Sequence, residues 1–209
     1  MWETYGPARG AVSRPATTYR NLRRFIGNVT QEKAQPMDLA ALIRNVPDFP
    51  KPGIQFKDIT TLLLEPAAFR YIIERWQKML SDNPPGCIVG IEARGFIFGA
   101  ALAHAMGLPF VPARKKGKLP AATIREEFSL EYGVDSVEMH VDAIKSGQRV
   151  VVVDDLLATG GTVAAVVRLV QRLGGEVALA LFVVELPPLK GREKLAGIPI
   201  HCEVAFMVE

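Results

Sequence analysis

Hydrophobic and polar positions follow two different periods along the chain after residue 37. After Pro66, apolar side chains recur every three or four residues, which predicts a helix with one buried face. Short apolar runs rich in valine, at 150–153 and 177–184, predict buried strands. Strands that alternate with helices favour parallel pairing. The chain is therefore predicted to form an α/β fold with a doubly wound, mostly parallel sheet.

Two segments stand outside this regular alternation. A short helix capped by Asp38 is predicted to run to Arg44, and three prolines exclude a helix from residues 47–53. Residues 114–133 are polar and basic and are predicted to form an excursion from the core. The predicted strands are 87–91, 109–113, 136–141, 149–153 and 176–184, and the predicted helices are 66–80, 96–106 and 163–173.

The last strand–loop–helix unit carries the clearest pattern. Strand 149–153 leads into a loop over 154–162, and the helix that follows is predicted to expose only Arg168, Gln171 and Arg172. Two glycines then end that helix. Because ligands of open α/β sheets bind at the carboxyl ends of the strands, the loop is expected to lie at a binding site.

The loop has the composition of a phosphate-binding loop. Gly160 and Gly161 have no Cβ and let the backbone approach an anion, while Thr159 and Thr162 offer hydroxyl donors. Unpaired N–H groups and the positive end of the helix dipole follow at the helix start. We therefore predict that the five residues from Ala158 to Thr162 bind a phosphate monoester. The sequence Gly-Lys-Ser/Thr is absent, which excludes the P-loop of a nucleoside triphosphatase.

The paired acids before this loop are predicted to bind a sugar. Two carboxylates would repel a phosphate, so Asp154 and Asp155 must serve another group. Each can accept a hydrogen bond from a ribose hydroxyl, and both can help to organise Mg²⁺ through water without direct ligation. The alternative is a glycine-rich turn in which one aspartate only caps the helix. Valines that run directly into Asp-Asp and then Ala-Thr-Gly-Gly-Thr favour the binding site.

Composition excludes several other classes of protein. Hydrophobic residues make up 49% and charged residues 22% of the chain, as in a folded protein rather than a disordered one. No apolar run approaches the roughly 18 residues that a membrane-spanning helix needs. Cys87 and Cys202 are far apart and the three histidines are scattered, which argues against disulfides and a zinc site. We therefore predict a reducing, cytoplasmic location.

Residues 1–36 differ from the rest and are predicted to form a mobile N-terminal extension before a single domain over 37–209. Six basic and two acidic residues give this extension a charge of +4, which leaves −1 of the total of +3 for the domain. The domain therefore gives no reason to expect a nucleic-acid partner. The extension could be an organelle-targeting peptide, but a floppy tail or a misassigned start codon, with Met37 as the true start, is favoured.

The segment from Val151 to Thr162 resembles the signature with which type I phosphoribosyltransferases bind 5-phosphoribosyl 1-pyrophosphate (PRPP). From Asp38 onwards, nearly the whole chain is similar to the members of that family specific for adenine. The matching segments are 47–54, 56–59, 94–96, 114–120, 129–133 and 189–195. The resemblance implies the fold of that family, with a small base-covering hood and a flexible lid loop. It also implies a purine salvage reaction in which adenine and PRPP yield AMP and pyrophosphate, with Mg²⁺ as cofactor.

The resemblance implies a second anion site, for the pyrophosphate of PRPP. Arg94 follows another strand, and Arg114, Lys115 and Lys118 lie in one basic run. A guanidinium group suits pyrophosphate oxygens better than an ammonium does. An isolated basic run is usually solvated, but in a chain that has a phosphate loop the pyrophosphate role is favoured. The resemblance further implies a homodimer with its interface near this run, which would allow Arg114 to serve the partner's site.

Adenine presents an N6 donor and ring-nitrogen acceptors, and an extended backbone can bind this edge without charged side chains. The segment similar to the family's hood therefore assigns base contact to the main chains of Gln55 and Lys57, with Phe56 or Phe49 as an apolar wall. The family commonly has arginine at the position of Lys57. That departure leaves main-chain contacts intact and weakens any role for the lysine side chain.

Two residues are assigned to catalysis. Arg94 is expected to neutralise the leaving pyrophosphate. Glu131 lies in the matching Ser-Leu-Glu-Tyr-Gly stretch, and its family counterpart implies that it handles the proton on N7 of the purine. Glu131 could instead be an ordinary exposed carboxylate, and Glu126 and Glu127 are rivals for the same role.

Two other functions on the same fold stand as alternatives. A phosphoribosyltransferase for 6-oxopurines would normally place base-binding residues after the phosphate loop, and residues 186–209 contain no clear lysine–aromatic clamp. A non-catalytic regulator that senses PRPP would need a DNA-binding module, and 36 weakly patterned residues cannot form one. Transfer to adenine is therefore the predicted activity.

Overall fold

A computed structural model describes residues 37–129 and 133–207 of the chain. The predicted extension 1–36 and the predicted catalytic residue Glu131 lie outside the described residues. The described part contains strands β1 (Arg44–Pro47), β2 (Gln55–Asp58), β3 (Cys87–Ile91), β4 (Phe110–Lys115), β5 (Thr123–Ser129), β6 (Val134–His140), β7 (Arg149–Leu157), β8 (Glu176–Glu185) and β9 (Ile200–Ala205). Its α-helices are α1 (Thr60–Leu63), α2 (Pro66–Leu80), α3 (Gly95–Met106) and α4 (Gly161–Arg172).

Seven of these strands form one sheet in the order β5-β6-β4-β3-β7-β8-β9. The run from β4 to β9 is parallel, whereas β6 pairs antiparallel with both β4 and β5. Strands β1 and β2 form a separate antiparallel hairpin. The predicted α/β fold with a mostly parallel sheet is confirmed.

Helices cover both faces of the sheet, as the predicted doubly wound topology requires. Successive residues of β7 face opposite sides, so Val150 and Val152 pack in the core beneath α4. Val151 and Val153 pack in the other core, with residues of α2 and α3 that include the fully buried Trp76. The valine run of β7 is therefore buried from both sides, which explains its lack of polar alternation.

The helix predictions from apolar spacing are confirmed. Helix α2 begins at Pro66, where the missing N–H is of no consequence. Helix α3 ends at Gly107, whose φ of 65° closes the last turn in the left-handed region. Helix α4 exposes only Arg168, Gln171 and Arg172 strongly, as its sequence predicted.

The structure differs from the sequence prediction in several places, among them strand β9, which was not predicted. Arg44 begins strand β1, and only a 3₁₀ turn at Ala40–Leu42 follows Asp38, whose Oδ1 accepts the amide of Ala41 at 3.2 Å. Strand β7 continues to Leu157, because β8 pairs with it beyond residue 153. Within the predicted excursion 114–133, strand β5 pairs with β6 at the edge of the sheet.

Candidate active site

A cavity of about 350 Å³ opens at the carboxyl ends of β3, β4 and β7, where an open α/β sheet is expected to bind its ligand. It brings together residues that are far apart in sequence. The charged residues on its walls are Glu92, Arg94, Arg114, Lys115, Asp135, Asp154 and Asp155. The structure thus gathers the predicted aspartates and three of the four predicted pyrophosphate-binding cations around one space.

Each of these three cations faces a carboxylate. Arg94 Nε lies 3.0 Å from Asp155 Oδ2. Arg114 donates from Nη2 to Glu92 Oε1 at 2.9 Å and from Nε to Glu92 Oε2 at 3.2 Å. Lys115 Nζ lies 3.3 Å from Asp135 Oδ2. A pyrophosphate that binds these cations must therefore compete with carboxylates already in place.

Lys118, the fourth predicted cation, is exposed beside the cavity rather than on its wall. Its carbonyl oxygen accepts Arg114 Nη1 at 2.9 Å, so the basic run turns back on itself. The Lys118 charge also helps to lower the pKa of Glu92, although the hydrogen bond from Arg114 is the main cause. Lys118 is placed to contribute charge at the rim.

The aspartate pair is held where ionisation is unfavourable. Asp154 Oδ1 accepts the amide of Asp155 at 2.9 Å. Burial raises the pKa of Asp154 well above its ordinary value, and the adjacent Asp155 charge adds to the increase. Burial also raises the pKa of Asp155, partly opposed by Arg94. Asp155 Oδ2 accepts no hydrogen bond from any described residue, since the contact with Arg94 Nε lacks hydrogen-bond alignment.

Asp154→Asn is expected to raise the melting temperature (Tm) at pH 7. The pKa of Asp154 is higher in the folded protein than its ordinary value of 3.8, so the folded state binds this proton more tightly than the unfolded chain does. The stability that protonated Asp154 contributes is fully present below about pH 3.8 and is lost as the pH rises through the pKa of the folded state. Asparagine cannot ionise, so the gain in Tm should be present at pH 7, shrink as the pH falls towards 3.8 and vanish below that pH, as thermal unfolding across pH would measure.

Asp58→Asn is the matched control of opposite sign. Hydrogen bonds from Thr60 and Arg44 lower the pKa of Asp58 to about 2. The contribution of ionised Asp58 to stability is present above pH 3.8 and is lost as the pH falls through its folded pKa of about 2. Asp58→Asn should therefore melt at a lower temperature than the wild type at pH 7. An Asp154→Asn protein that also melts lower at pH 7 would contradict the unfavourable ionisation of Asp154.

The predicted phosphate loop lies between β7 and α4. Its residues 158–162 surround a hollow of about 80 Å³, which shares Asp154, Leu156 and Thr162 with the larger cavity. The first intrahelical bond of α4 runs from Ala164 N to Gly160 O at 3.0 Å, so the N–H groups before Ala164 have no intrahelical acceptor. An anion in this hollow would meet unpaired amides within reach of the aspartate pair.

The fold itself requires glycine at position 160, apart from any role in binding an anion. The Gly160 φ of 74° lies in the left-handed region, and a Cβ there would lie 2.5 Å from the carbonyl oxygen of Gly191. The sequence prediction attributed this glycine only to a close approach of phosphate. The structure adds that it packs against the segment after β8, where Arg192 donates to both oxygens of Glu185 at 2.6 and 2.7 Å.

The β1–β2 hairpin, which we call the hood, approaches the cavity through Phe56. The Phe56 ring centroid lies 5.4 Å from Arg94 Cζ and 5.1 Å from the ring centroid of Phe49. The side chains of Gln55 and Lys57 are engaged elsewhere, since Gln55 Oε1 accepts Asn45 Nδ2 at 2.7 Å and Lys57 Nζ donates to Asn45 Oδ1 at 2.9 Å. Side-chain roles for these two residues in base binding are therefore not supported, and main-chain roles stay open.

The sequence prediction missed Glu92 and Asp135 on the cavity wall. Glu92 directly follows the buried strand β3, so its position at a strand end was a usable signal. Asp135 lies in β6, which reaches the cavity only because it pairs antiparallel with β4. No local pattern indicates that pairing.

Glu126 and Glu127 are not on the wall of the 350 Å³ cavity. Glu126 accepts Arg168 Nε at 3.0 Å and Arg172 Nη1 at 2.6 Å, and the hydrogen bond from Arg168 is the main cause of its lowered pKa. Glu127 lines a different hollow, of about 490 Å³, together with Arg168 and Lys194. Among the described residues, neither rival of Glu131 reaches the 350 Å³ cavity.

The fold, with its glycine-rich loop beside the cavity, is that of a type I phosphoribosyltransferase, and comparison with known proteins agrees. The family model of the phosphoribosyl transferase domain matches residues 59–197. Curated adenine phosphoribosyltransferases match most of the chain. That of Clostridium tetani is 54% identical over 170 residues, which are 81% of this chain and 99% of the relative. That of Acetivibrio thermocellus is 56% identical over 171 residues, 81% of this chain and 100% of the relative.

Solved structures agree with the sequence relatives. The adenine phosphoribosyltransferase of Thermoanaerobacter pseudethanolicus has a TM-score of 0.78 at 53% identity and covers 80% of this chain and 98% of its own. The Saccharomyces cerevisiae enzyme was solved with an imino-altritol bisphosphate and adenine. It has a TM-score of 0.76 at 38% identity and covers 79% of this chain and 96% of its own. The chain belongs to the adenine phosphoribosyltransferase family. In the part of the chain that the structure describes, no helix is long and apolar enough to cross a membrane.

Proposed function

We infer that this protein is a pentosyltransferase that converts adenine and PRPP to AMP and pyrophosphate. The observation that carries this function is the position of a glycine-rich loop and a cluster of cations at one sheet edge, with Asp154 on the wall of both hollows and Asp155 beside it. PRPP has the same arrangement, with a 5-phosphate and a 1-pyrophosphate on either side of a ribose. Curated relatives above 50% identity carry the same activity in their names.

The arrangement supports a role for each group in the transfer. The loop from Ala158 to Thr162 would hold the 5-phosphate through its amides and hydroxyls. The two aspartates would accept the ribose hydroxyls and offset the positive charge that develops on the sugar as pyrophosphate departs. Arg94, with Arg114, Lys115 and Lys118, would neutralise the leaving group.

We propose Mg²⁺ as the cofactor. Asp155 Oδ2 is buried without a hydrogen-bond donor among the described residues, and such an oxygen fits a magnesium-bound water. No group of three or more potential metal ligands occurs among the described residues. The ion would therefore be held mainly by the substrate and by water near Asp154 and Asp155. Bound there, it would neutralise charge on the pyrophosphate.

Specificity for adenine rests on the hood. Phe56 lies beside Arg94 at the rim of the cavity, which suits a wall against a flat base. The side chains of Gln55 and Lys57 are bound to Asn45, so the base edge would meet their main-chain groups. Such groups can match the N6 donor of adenine.

A comparison of acceptor bases tests this function directly. Adenine, hypoxanthine, guanine and xanthine would each be supplied with PRPP and Mg²⁺, and nucleotide formation would be measured. We expect rapid formation of AMP and little product from the other three bases. Preference for a 6-oxopurine would replace the assignment with that of its nearest alternative, and PRPP binding without turnover of any base would favour a PRPP-sensing regulator.

We propose a homodimer in the cytoplasm. The family resemblance implies the dimer, and two distant cysteines favour a reducing compartment. Within the single chain, Arg114 is bound to Glu92 of its own cavity, which favours a role in its own site over the partner's. Sedimentation analysis would measure the assembly, and entry of a fluorescent fusion of residues 1–36 into an organelle would contradict the location.

A protein that begins at Met37 is expected to keep its Tm and turnover nearly unchanged. The curated relatives match over 99–100% of their own length within about 170 residues of this chain. The described residues also form their sheet and both cores from residue 37 onwards. Thermal unfolding and steady-state turnover of the shortened protein would check this, and aggregation or lost turnover would assign residues 1–36 an integral role.

A further inference from the structure

Glu138 is a buried carboxylate that the proposed chemistry does not use. It lies in β6, is only 3% exposed, and is not on the wall of the 350 Å³ cavity. Its neighbours in the strand, Ser136 and Val137, do line that cavity. A buried charge is costly unless it is paired and hydrogen-bonded, so its partners indicate what it serves.

The two oxygens of Glu138 connect two different segments. Oε1 accepts Arg125 Nε of β5 at 2.8 Å. Oε2 accepts the main-chain amide of Gly117 at 2.9 Å. The hydrogen bond from Gly117 is the largest cause of the lowered pKa of Glu138, with Arg125 adding to it against the effect of burial. The carboxylate is thus ionised and bound to a loop amide.

Gly117 belongs to the turn over 115–118, which we call the basic loop. The turn is closed by Lys118 N, which donates to Lys115 O at 3.2 Å, and Gly117 takes a left-handed φ of 75°. Its residues 115–118 are all exposed. On the cavity side, Glu92 Oε2 accepts the amide of Lys115 at 3.0 Å. Two carboxylates, Glu92 in front and Glu138 behind, therefore hold the backbone of an otherwise exposed loop.

We propose that Glu138 is a positioning residue that holds the basic loop in the shape that presents Arg114, Lys115 and Lys118 to pyrophosphate. The inference rests on the proposed function of this site. Fixing the backbone of one residue costs about 1–2 kcal/mol of conformational entropy, so a loop ordered in advance binds its anion more tightly than one ordered on binding. Glu138 acts through the Gly117 amide and does not itself touch the substrate.

Glu138→Gln keeps the length of the side chain and removes its charge. By calorimetry with Mg²⁺, we expect the Kd of pyrophosphate to rise about tenfold, as for loss of one charge-assisted hydrogen bond. The Kd of AMP should stay unchanged, because AMP uses the phosphate loop and not the basic loop. In steady-state assays, the KM for PRPP should rise more than kcat falls.

Glu126→Gln is the matched control. Glu126 also accepts arginine side chains and also lies in the β5–β6 hairpin, but its partners are on α4 and none is in the basic loop. Glu126→Gln should change the dissociation constants of AMP and of pyrophosphate by the same small factor. Equal losses for AMP and pyrophosphate in Glu138→Gln would make Glu138 a purely structural residue, and unchanged pyrophosphate affinity would likewise overturn the proposal.

Gly117→Ala tests the same loop from the solvent side if Glu138→Gln does not fold. A Cβ on Gly117 would meet no atom within 4 Å, so this change strains only the left-handed turn. We expect weaker pyrophosphate binding and unchanged AMP binding, and wild-type pyrophosphate affinity would overturn the inference. If the wild-type protein binds AMP and pyrophosphate but does not form AMP from adenine, the proposed function fails instead, independently of either variant.

Discussion

Gly160→Val is expected to weaken AMP binding about a hundredfold. A left-handed backbone costs an L-residue about 1–2 kcal/mol, and the new Cβ would also displace the carbonyl of Gly191, which lies 2.5 Å away. The loop would relax out of its present shape and would have to regain that shape to hold the 5-phosphate. Because 1.4 kcal/mol corresponds to about tenfold in affinity, the two costs together reach this magnitude. Calorimetry with AMP and with PRPP measures it.

Gly107→Val is the matched control for backbone strain. Gly107 has a φ of 65° at the end of α3, and a Cβ there would meet no atom within 4 Å. This variant should lose stability through the same left-handed conformation and still bind AMP as the wild type does. If Gly160→Val also binds AMP normally, residues 158–162 do not hold the 5-phosphate.

The parts of the fold that the sequence predicted are those in which one local pattern decides the structure. Helix α2 has an apolar stripe and a proline at its start, and β3 is a short apolar run, so both were predicted with nearly their observed bounds. Strand β5 was missed because its apolar residues, Ile124 and Phe128, are separated by Arg125 and two glutamates. It is a strand because β6 offers it a full set of backbone partners.

The candidate site also combines features that a local sequence pattern predicts with features that depend on the order of the strands. The phosphate loop and the aspartate pair are contiguous in sequence, so their composition alone indicated an anion site beside a sugar site. The ion pair of Arg114 with Glu92 joins residues 22 positions apart, and the bond of Gly117 to Glu138 spans 21. These contacts depend on which strands are neighbours in the sheet, and local spacing contains no information about that order.

The contacts of Glu126 and Glu127 bear on the assignment of the N7 proton to Glu131. Glu126 is bound by Arg168 and Arg172 on α4, and Glu127 lines the 490 Å³ hollow rather than the 350 Å³ cavity. Phe128 and Asp135, which flank the undescribed residues 130–132, both line the cavity. The contacts of Glu126 and Glu127 therefore support the sequence prediction that assigns the proton on N7 to Glu131.

Glu131→Gln is expected to lower turnover by about 10²–10⁴-fold, the usual contribution of a positioned general acid or base. Glutamine keeps the shape and some hydrogen bonding of glutamate but cannot transfer the proton. PRPP affinity should barely change, because the proposed role assigns Glu131 to neither anion site, and Glu131→Leu should be at least as damaging. Glu126→Gln, which alters a carboxylate bound to α4, should leave single-turnover chemistry nearly intact. Near-normal single-turnover rates in Glu131→Gln would transfer the role to water or Glu127, whereas a defect mainly in PRPP binding would make Glu131 a latch that closes the site.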